Sequence, residues 1–212
     1  MARALDRVGE RWALLVVREL LLGPKRFTDL RAGLPQVGPD VLSARLRGLE
    51  EAGVVRRDKL PPPAAARVYG LTERGRELEP VVLALGRWGS AEPLPPGDAV
   101  LSPDALMVAL KTLFEPAAAG DGAARFELRL GEHRYRVRVE GGRLEVERGG
   151  AEPADPTVET DVATLAALLW HGRPLEEAQR AGDLRLTGSA RAFARFLRLL
   201  PLAPAAESRA QR

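Results

Sequence analysis

The chain has 212 residues and no cysteine. That absence excludes disulfides, thiolate metal sites and a thiol nucleophile. Histidine is almost as scarce, with only His133 and His171. The first falls in a predicted hairpin turn and the second ends a predicted helix, where an imidazole is a common cap. They share no ligand spacing, so no metal site is expected. A Gly-rich phosphate loop is missing, and Ser43, Ser102 and Ser189 lack the G-x-S-x-G setting of an activated serine. Glu159 and Asp161 stand two apart at a strand end, and Asp161 has a sufficient role as a helix cap, which leaves no acid/base pair. Enzymatic chemistry finds no support, and no cofactor is called for. Long apolar runs are absent too. WALLVV meets Arg18 and Glu19 well short of the about 18 residues a bilayer span needs, and no secretory signal opens the chain. The expected location is the cytoplasm, without membrane insertion.

The length allows one large or two modest domains with ample core. Formal net charge is only +3, but it is unevenly spread. Residues 1–90 hold 16 Lys/Arg against 11 Asp/Glu, whereas residues 91–212 hold 16 against 18. The basic excess belongs to the first half, which is where an anionic partner is to be sought.

In that half, residues 26–57 read as a short helix, a tight turn, a longer helix and the start of a strand. Phe27 and Leu30 give the first helix an apolar face, Leu34 and Val37 anchor the turn, and Leu42, Leu46 and Leu49 form an i, i+4, i+7 stripe that should be buried. Gly38 suits an N-cap and Pro39 the first helical turn. The opposite face carries Asp40, Ser43, Ala44 and Arg47, which are small or polar. This is the layout of a recognition helix, and equally that of an ordinary helical hairpin. Gly53 can end the second helix. VVRRDKL and VYGL then read as two strands around the proline-rich tip PPPAAA, a wing whose basic residues would lie over phosphates.

Several spaced motifs in order, DRVGERWALLVVRELLLGPKRFTDLR, VLSARLRGLEEAGVVRR, ARVYGLTERGREL and RWG, resemble the HxlR-type winged-helix transcription regulators over roughly residues 4–89. The resemblance implies a homodimer built by the amphipathic helices of 4–22 and 76–88, presenting two recognition helices to double-stranded DNA; the alternative is that these helices close the monomer's own core. It implies that Pro39, Asp40, Ser43, Ala44 and Arg47 meet base edges or groove walls, while Lys25, Arg26, Arg45, Arg56, Arg57 and Arg67 contact phosphates. Members of this family often carry a sensing cysteine near the N-terminus. Here that neighbourhood has Ala4, so thiol-based sensing is out. Repression is the mode the resemblance suggests.

Residues 91–103 read as a linker rich in proline. Beyond them a short helix over 104–115 precedes FELRL, YRVRV and LEVE, which alternate strictly between apolar and polar. Gly141-Gly142 is a two-residue hairpin signal; pairing about it sets Val139 opposite Leu144, Arg138 opposite Glu145 and Arg136 opposite Glu147. The helix VATLAALLW, capped by Asp161, the helix opened by Pro174, and a final helix capped by Ser189 supply the apolar cover. The order TDVATLAALLWHGRPLEEAQRAGDLRLTGSARAFARFL behind this sheet resembles the SCP2 (sterol carrier protein 2-like) lipid-binding domain over about residues 103–200. It implies an apolar small-molecule or lipid ligand, with Phe126, Leu128, Val137, Leu165, Leu169, Trp170, Phe193 and Leu197 around it; the same pattern equally describes a plain hydrophobic core.

The expected fold class is α+β: a winged helix-turn-helix domain at 1–90, a linker at 91–103, an SCP2-like domain with an antiparallel sheet covered by helices at 104–200, and a tail at 201–212. The expected function is dimeric, sequence-specific DNA binding controlled by an apolar ligand. Two alternatives stand beside it, a lipid carrier whose winged helix docks proteins, and a C-terminal domain that serves only assembly.

Overall fold

The structure, a computed structural model, describes residues 1–60, 66–90, 101–119, 123–150 and 156–200. The wing tip, most of the expected linker and the tail lie outside these. The chain divides into two compact units, the first comprising the described residues up to Leu85 together with those up to Val108 that follow Gly97, the second comprising the rest.

In the first unit the expected helix of 4–22 is two helices, α1 (Ala2–Val8) and α2 (Ala13–Leu20). Gly9, a poor helix former, ends α1, and Trp12 adopts a left-handed φ of 77°, alone among the described non-glycine residues. The break rephases the apolar positions. Ala13, Val16, Val17 and Leu20 enter the core whereas Leu5 stays exposed. Next come α3 (Phe27–Gly33) and α4 (Pro39–Glu51), then β1 (Val55–Lys59) and β2 (Arg67–Leu71), paired antiparallel. Leu42, Leu46 and Leu49 of α4 are each at most 1% exposed, as their spacing predicts, and pack with Leu30, Leu34 and Val37. The expected helix of 76–88 is α6 (Glu79–Gly89), preceded by a separate one-turn helix, α5 (Glu73–Arg76). Thr72 ends β2's path and starts α5: its hydroxyl accepts from the Gly75 N–H and donates to the Gly53 carbonyl.

One polar cluster inside this unit has no counterpart in the sequence expectations. Lys25, 5% exposed, places its ammonium 2.6 Å from Glu19 and 2.8 Å from Asp104, themselves 0% and 1% exposed. The Ser102 hydroxyl donates to Glu19 and accepts from the Ala105 N–H, capping α7 (Pro103–Leu113). Buried charges persist only when paired and hydrogen-bonded, and here each has its partner. Residues 101–103, expected to end the linker, are therefore drawn into the first unit: Glu19 and Lys25 need the groups that Ser102 and Asp104 bring.

The second unit follows α7 with α8 (Pro116–Ala119) and a five-stranded sheet of order β5-β4-β3-β6-β7: β3 (Ala124–Leu130), β4 (His133–Glu140), β5 (Arg143–Arg148), β6 (Thr157–Thr160) and β7 (Arg185–Thr187). All neighbours are antiparallel except β3 and β6, so the sheet is mixed. Gly141 and Gly142, with φ of 55° and 70°, make the two-residue turn, and the register is the expected one: Val139 to Leu144, Arg138 to Glu145, Arg136 to Glu147. Between β6 and β7 lie α9 (Val162–Trp170) and α10 (Leu175–Ala181), and α11 (Ala190–Leu197) closes the unit. Asp161 and Ser189 cap α9 and α11 by accepting from Thr164 and Ala192 N–H groups. One sheet face is apolar and buried; the other is charged. On it, Arg129 is held more firmly protonated than a free guanidinium, first by its hydrogen bond to Glu127 and then by Glu159.

Candidate nucleic-acid interface

The buried leucine stripe of α4 fixes which side of that helix faces outward. Pro39, Asp40, Ala44 and Arg47 are exposed there, with Ser43 half-buried. Gly38 is the N-cap and provides no side-chain acceptor, so the first-turn N–H groups of this 13-residue helix are left for solvent or a ligand. Asp40 lies in that first turn, where a carboxylate complements the helix dipole by roughly 0.3–1 kcal/mol. Its presence on the outer face thus has a structural reason.

Sorting the cations by what they hold changes the expected set. Lys25 is corrected outright: its ammonium is buried between two carboxylates, and only its backbone reaches the wing, exchanging hydrogen bonds with Tyr69. Arg45 is corrected as well. Its half-buried side chain runs to Glu10 in the turn between α1 and α2, bracing α4 instead of reaching outward. Arg56 pairs with Asp58 at 2.8 Å, and Arg57 pairs with Glu50 at 3.0 Å while its guanidinium lies 5.2 Å from the Tyr69 ring centre. Both remain exposed, and pairs of that kind are worth about 0–1 kcal/mol, which a phosphate can exchange.

Arg26, Arg47 and Arg67 are exposed and have no carboxylate partner among the described residues. Lys59, one of the basic wing residues expected over phosphates, joins them. The register sets it directly opposite Arg67 across the wing, both exposed and neither holding a carboxylate among the described residues. Like charges facing each other across two strands destabilise a hairpin. The alternation of VVRRDKL carried this signal, since Arg57 and Lys59 share a face.

The eight residues expected around a ligand lie in the second unit. Phe126, Leu128, Val137, Leu165, Leu169 and Phe193 are buried, and Trp170 and Leu197 half-buried. Phe126 meets Phe193 and Phe196 edge-on, with ring centres 5.6 and 4.8 Å apart. Phe126 and Phe193 are thus packed ring against ring within that group. A cleft of about 370 Å3 lies beside it, along α11 and the start of β3, and none of the eight lines it. Among the described residues, no group of three or more His, Cys, Asp or Glu is placed to hold a metal ion, and no helix is long and apolar enough to cross a membrane.

Helices α2 to α4 with the β1-β2 hairpin make the first unit a winged helix-turn-helix. Residues 7–94 match the family model described as HxlR-like helix-turn-helix, and residues 99–205 the one described as alkyl sulfatase C-terminal. YvaP of Bacillus subtilis (strain 168), described as an uncharacterized HTH-type transcriptional regulator, is 39% identical over 88 residues, covering 42% of this chain and 82% of that protein. Among solved structures, the redox regulator HypR in its oxidized form is 33% identical, covering 44% of this chain and 97% of that one, with a TM-score of 0.42. A double mutant of the sec-alkyl sulfatase PisA1 is 20% identical, covering 47% of this chain and only 16% of that enzyme, with a TM-score of 0.44. The chain belongs to the HxlR-like helix-turn-helix family through its N-terminal part, and its C-terminal part is an alkyl sulfatase C-terminal domain. The model matched by the second half is the alkyl sulfatase one, and its motifs' resemblance to SCP2 domains stays a resemblance.

Proposed function

We propose that the protein is a dimeric, sequence-specific DNA-binding transcription regulator. The carrying observation is the set of exposed cations without carboxylate partners, Arg26, Arg47, Lys59 and Arg67, on the helix-turn-helix and its wing. Arg47, with Pro39, Ser43 and Ala44, would meet base edges from α4. Arg26, Lys59 and Arg67 would bind phosphates, with Arg56 and Arg57 joining by exchanging Asp58 and Glu50. Asp40 would accept from a cytosine amino group or orient Arg47. Repression through occupancy of promoter DNA is the mode to test.

The dimer reading is supported by an apolar stripe that the described residues leave uncovered. Val81, Leu85 and Trp88 follow i, i+4, i+7 along α6 and are 45%, 48% and 77% exposed. A second copy of the chain would cover them and set two α4 helices on a two-fold site.

Control would come from a ligand of the C-terminal domain, whose likeness to lipid-binding SCP2 domains points to an apolar or amphiphilic molecule and to a non-enzymatic role. Coupling between such a site and DNA is reciprocal and typically about 1–3 kcal/mol. The test is salt-dependent binding of the full chain to its own upstream intergenic DNA and to a scrambled duplex, with and without ligand. Preference for the upstream DNA is expected. Equal binding to both sinks the regulator reading and favours a lipid carrier whose winged helix docks proteins.

A further inference from the structure

The buried cluster of Glu19, Lys25, Ser102 and Asp104 does more than neutralise charge, because Lys25 is held at both ends. Its ammonium lies between Glu19 at 2.6 Å and Asp104 at 2.8 Å. Its backbone makes an isolated antiparallel bridge to Tyr69, the central residue of β2, donating at 2.9 Å and accepting at 2.8 Å. The wing therefore hangs from the residue that the cluster grips. Tyr69 stands opposite Arg57, whose guanidinium lies over its ring, and Arg67, two residues earlier, stands opposite Lys59. Arg26, next in the chain after Lys25, is the N-cap of α3. Each cation proposed to bind phosphate thus follows Lys25 in the chain or lies on the hairpin bridged to it.

Glu19 is not free to follow Lys25 if that residue shifts. Its carboxylate accepts from Ser102 at 2.9 Å and from Arg18 at 3.0 Å, and a Cβ added to Gly33 at the end of α3 would fall 2.5 Å from it. Asp104 stands in the first turn of α7, which Ser102 caps. All these residues belong to the first unit, although Ser102 and Asp104 follow the proline-rich stretch in the chain.

We infer that Asp104 is a positioning residue for DNA binding, which through Lys25 sets the placement of the wing and of the start of α3 against the phosphates without itself touching DNA. A buried ammonium takes the place its carboxylates dictate, and the lysine stem passes that place on to the backbone bridge. With the Asp104 charge removed the ammonium answers to Glu19 alone, and the bridge to Tyr69 loses one of its two anchors. Helix α4 has its own anchor in the buried leucine stripe, so base readout stays. The consequence for binding rests on the DNA-binding reading proposed above, whereas the hold on the wing rests on geometry alone.

The test is the full-chain variant Asp104→Asn, which keeps the shape of the side chain and removes its charge. Hydrogen exchange resolved at single amides is expected to quicken roughly ten-fold at Lys25 and Tyr69, with Leu42, Leu46 and Leu49 of α4 unchanged. Binding to the preferred and the scrambled duplex is expected to weaken by the same factor, with the salt slope lowered by about 2, the equivalent of two lost phosphate contacts. An Asp104 that only stabilised the fold would quicken exchange at all five amides together and leave the slope as it was. That result, unchanged exchange at Lys25 and Tyr69, or an unchanged slope in a chain that binds DNA would each overturn the inference. If circular dichroism shows that the variant does not fold, Ser102→Ala removes a donor to Glu19 from the same cluster and is expected to give the same local pattern more weakly; its absence counts equally against the inference. The unmodified chain separates the two proposals. No preference for the upstream duplex removes the regulator reading, while exchange at Lys25 and Tyr69 still decides whether Asp104 holds the wing.

Discussion

Arg47 and Lys59 are both cations without a carboxylate partner among the described residues, but they make different predictions because they sit on different elements. Arg47 projects from the outer face of α4, so Arg47→Ala should weaken binding to the preferred duplex by about 1–3 kcal/mol and relax one base position, with scrambled DNA little affected. A uniform loss on both duplexes would remove Arg47 from base readout. Lys59 lies on the wing opposite Arg67. Lys59→Gln should weaken binding to every duplex alike and lower the salt slope by about 1. It should also leave thermal stability unchanged or raised, because it removes a cross-strand repulsion; a lowered melting temperature would contradict that account. Lys25 is the opposite case, a cation whose work is done inside. Replacing it with Met takes the ammonium from buried Asp104 and leaves Glu19 with Arg18 at 3.0 Å and the Ser102 hydroxyl, at a cost of about 3–5 kcal/mol in urea unfolding. Weakened DNA binding with undiminished stability would return Lys25 to the surface.

At the scale of elements, regular patterns were legible and interruptions were not. The α4 stripe, the glycine hairpin with its register, and the caps Asp161 and Ser189 could all be read off, because each depends on residues a few positions apart. The break between α1 and α2 could not. A left-handed Trp12 has no local cause in sequence; it is tolerated because its ring finds partial burial against the core and Arg11 packs over it at 4.8 Å. The junction of wing and α5 is just as tight. A Cβ on Gly75 would fall 2.1 Å from the Val54 carbonyl oxygen, a backbone atom that cannot swing aside. Gly75→Ala should therefore cost about 1–3 kcal/mol in thermal or urea unfolding. A neutral result would show that the turn after β2 can shift.

For the whole molecule, the exposed stripe of α6 is where the proposed dimer would form. The double variant L85E/W88E should convert a dimer into a monomer by light scattering, and should weaken binding to a two-fold symmetric duplex far more than binding to a half-site. A dimer that survives these charges would place the interface elsewhere. The division of the chain also shows where composition misleads. Proline-rich residues 91–103 suggest a boundary, yet Ser102 and Asp104 are buried parts of the first unit.

The sequence by itself determined the buried stripe and outward side of α4, the alternation of β3 to β5 and the pairing of β4 with β5, because periodicity and turn chemistry act over short separations. Only the tertiary structure decided which charges are available to a partner. Arg45 meets Glu10 from 35 residues away, Lys25 meets Asp104 from across the proline-rich stretch, and Arg191, Arg195 and Arg198 meet no carboxylate among the described residues. Whether a cation is buried, neutralised or left open depends on which distant carboxylate packing delivers to it, and no local pattern encodes that delivery.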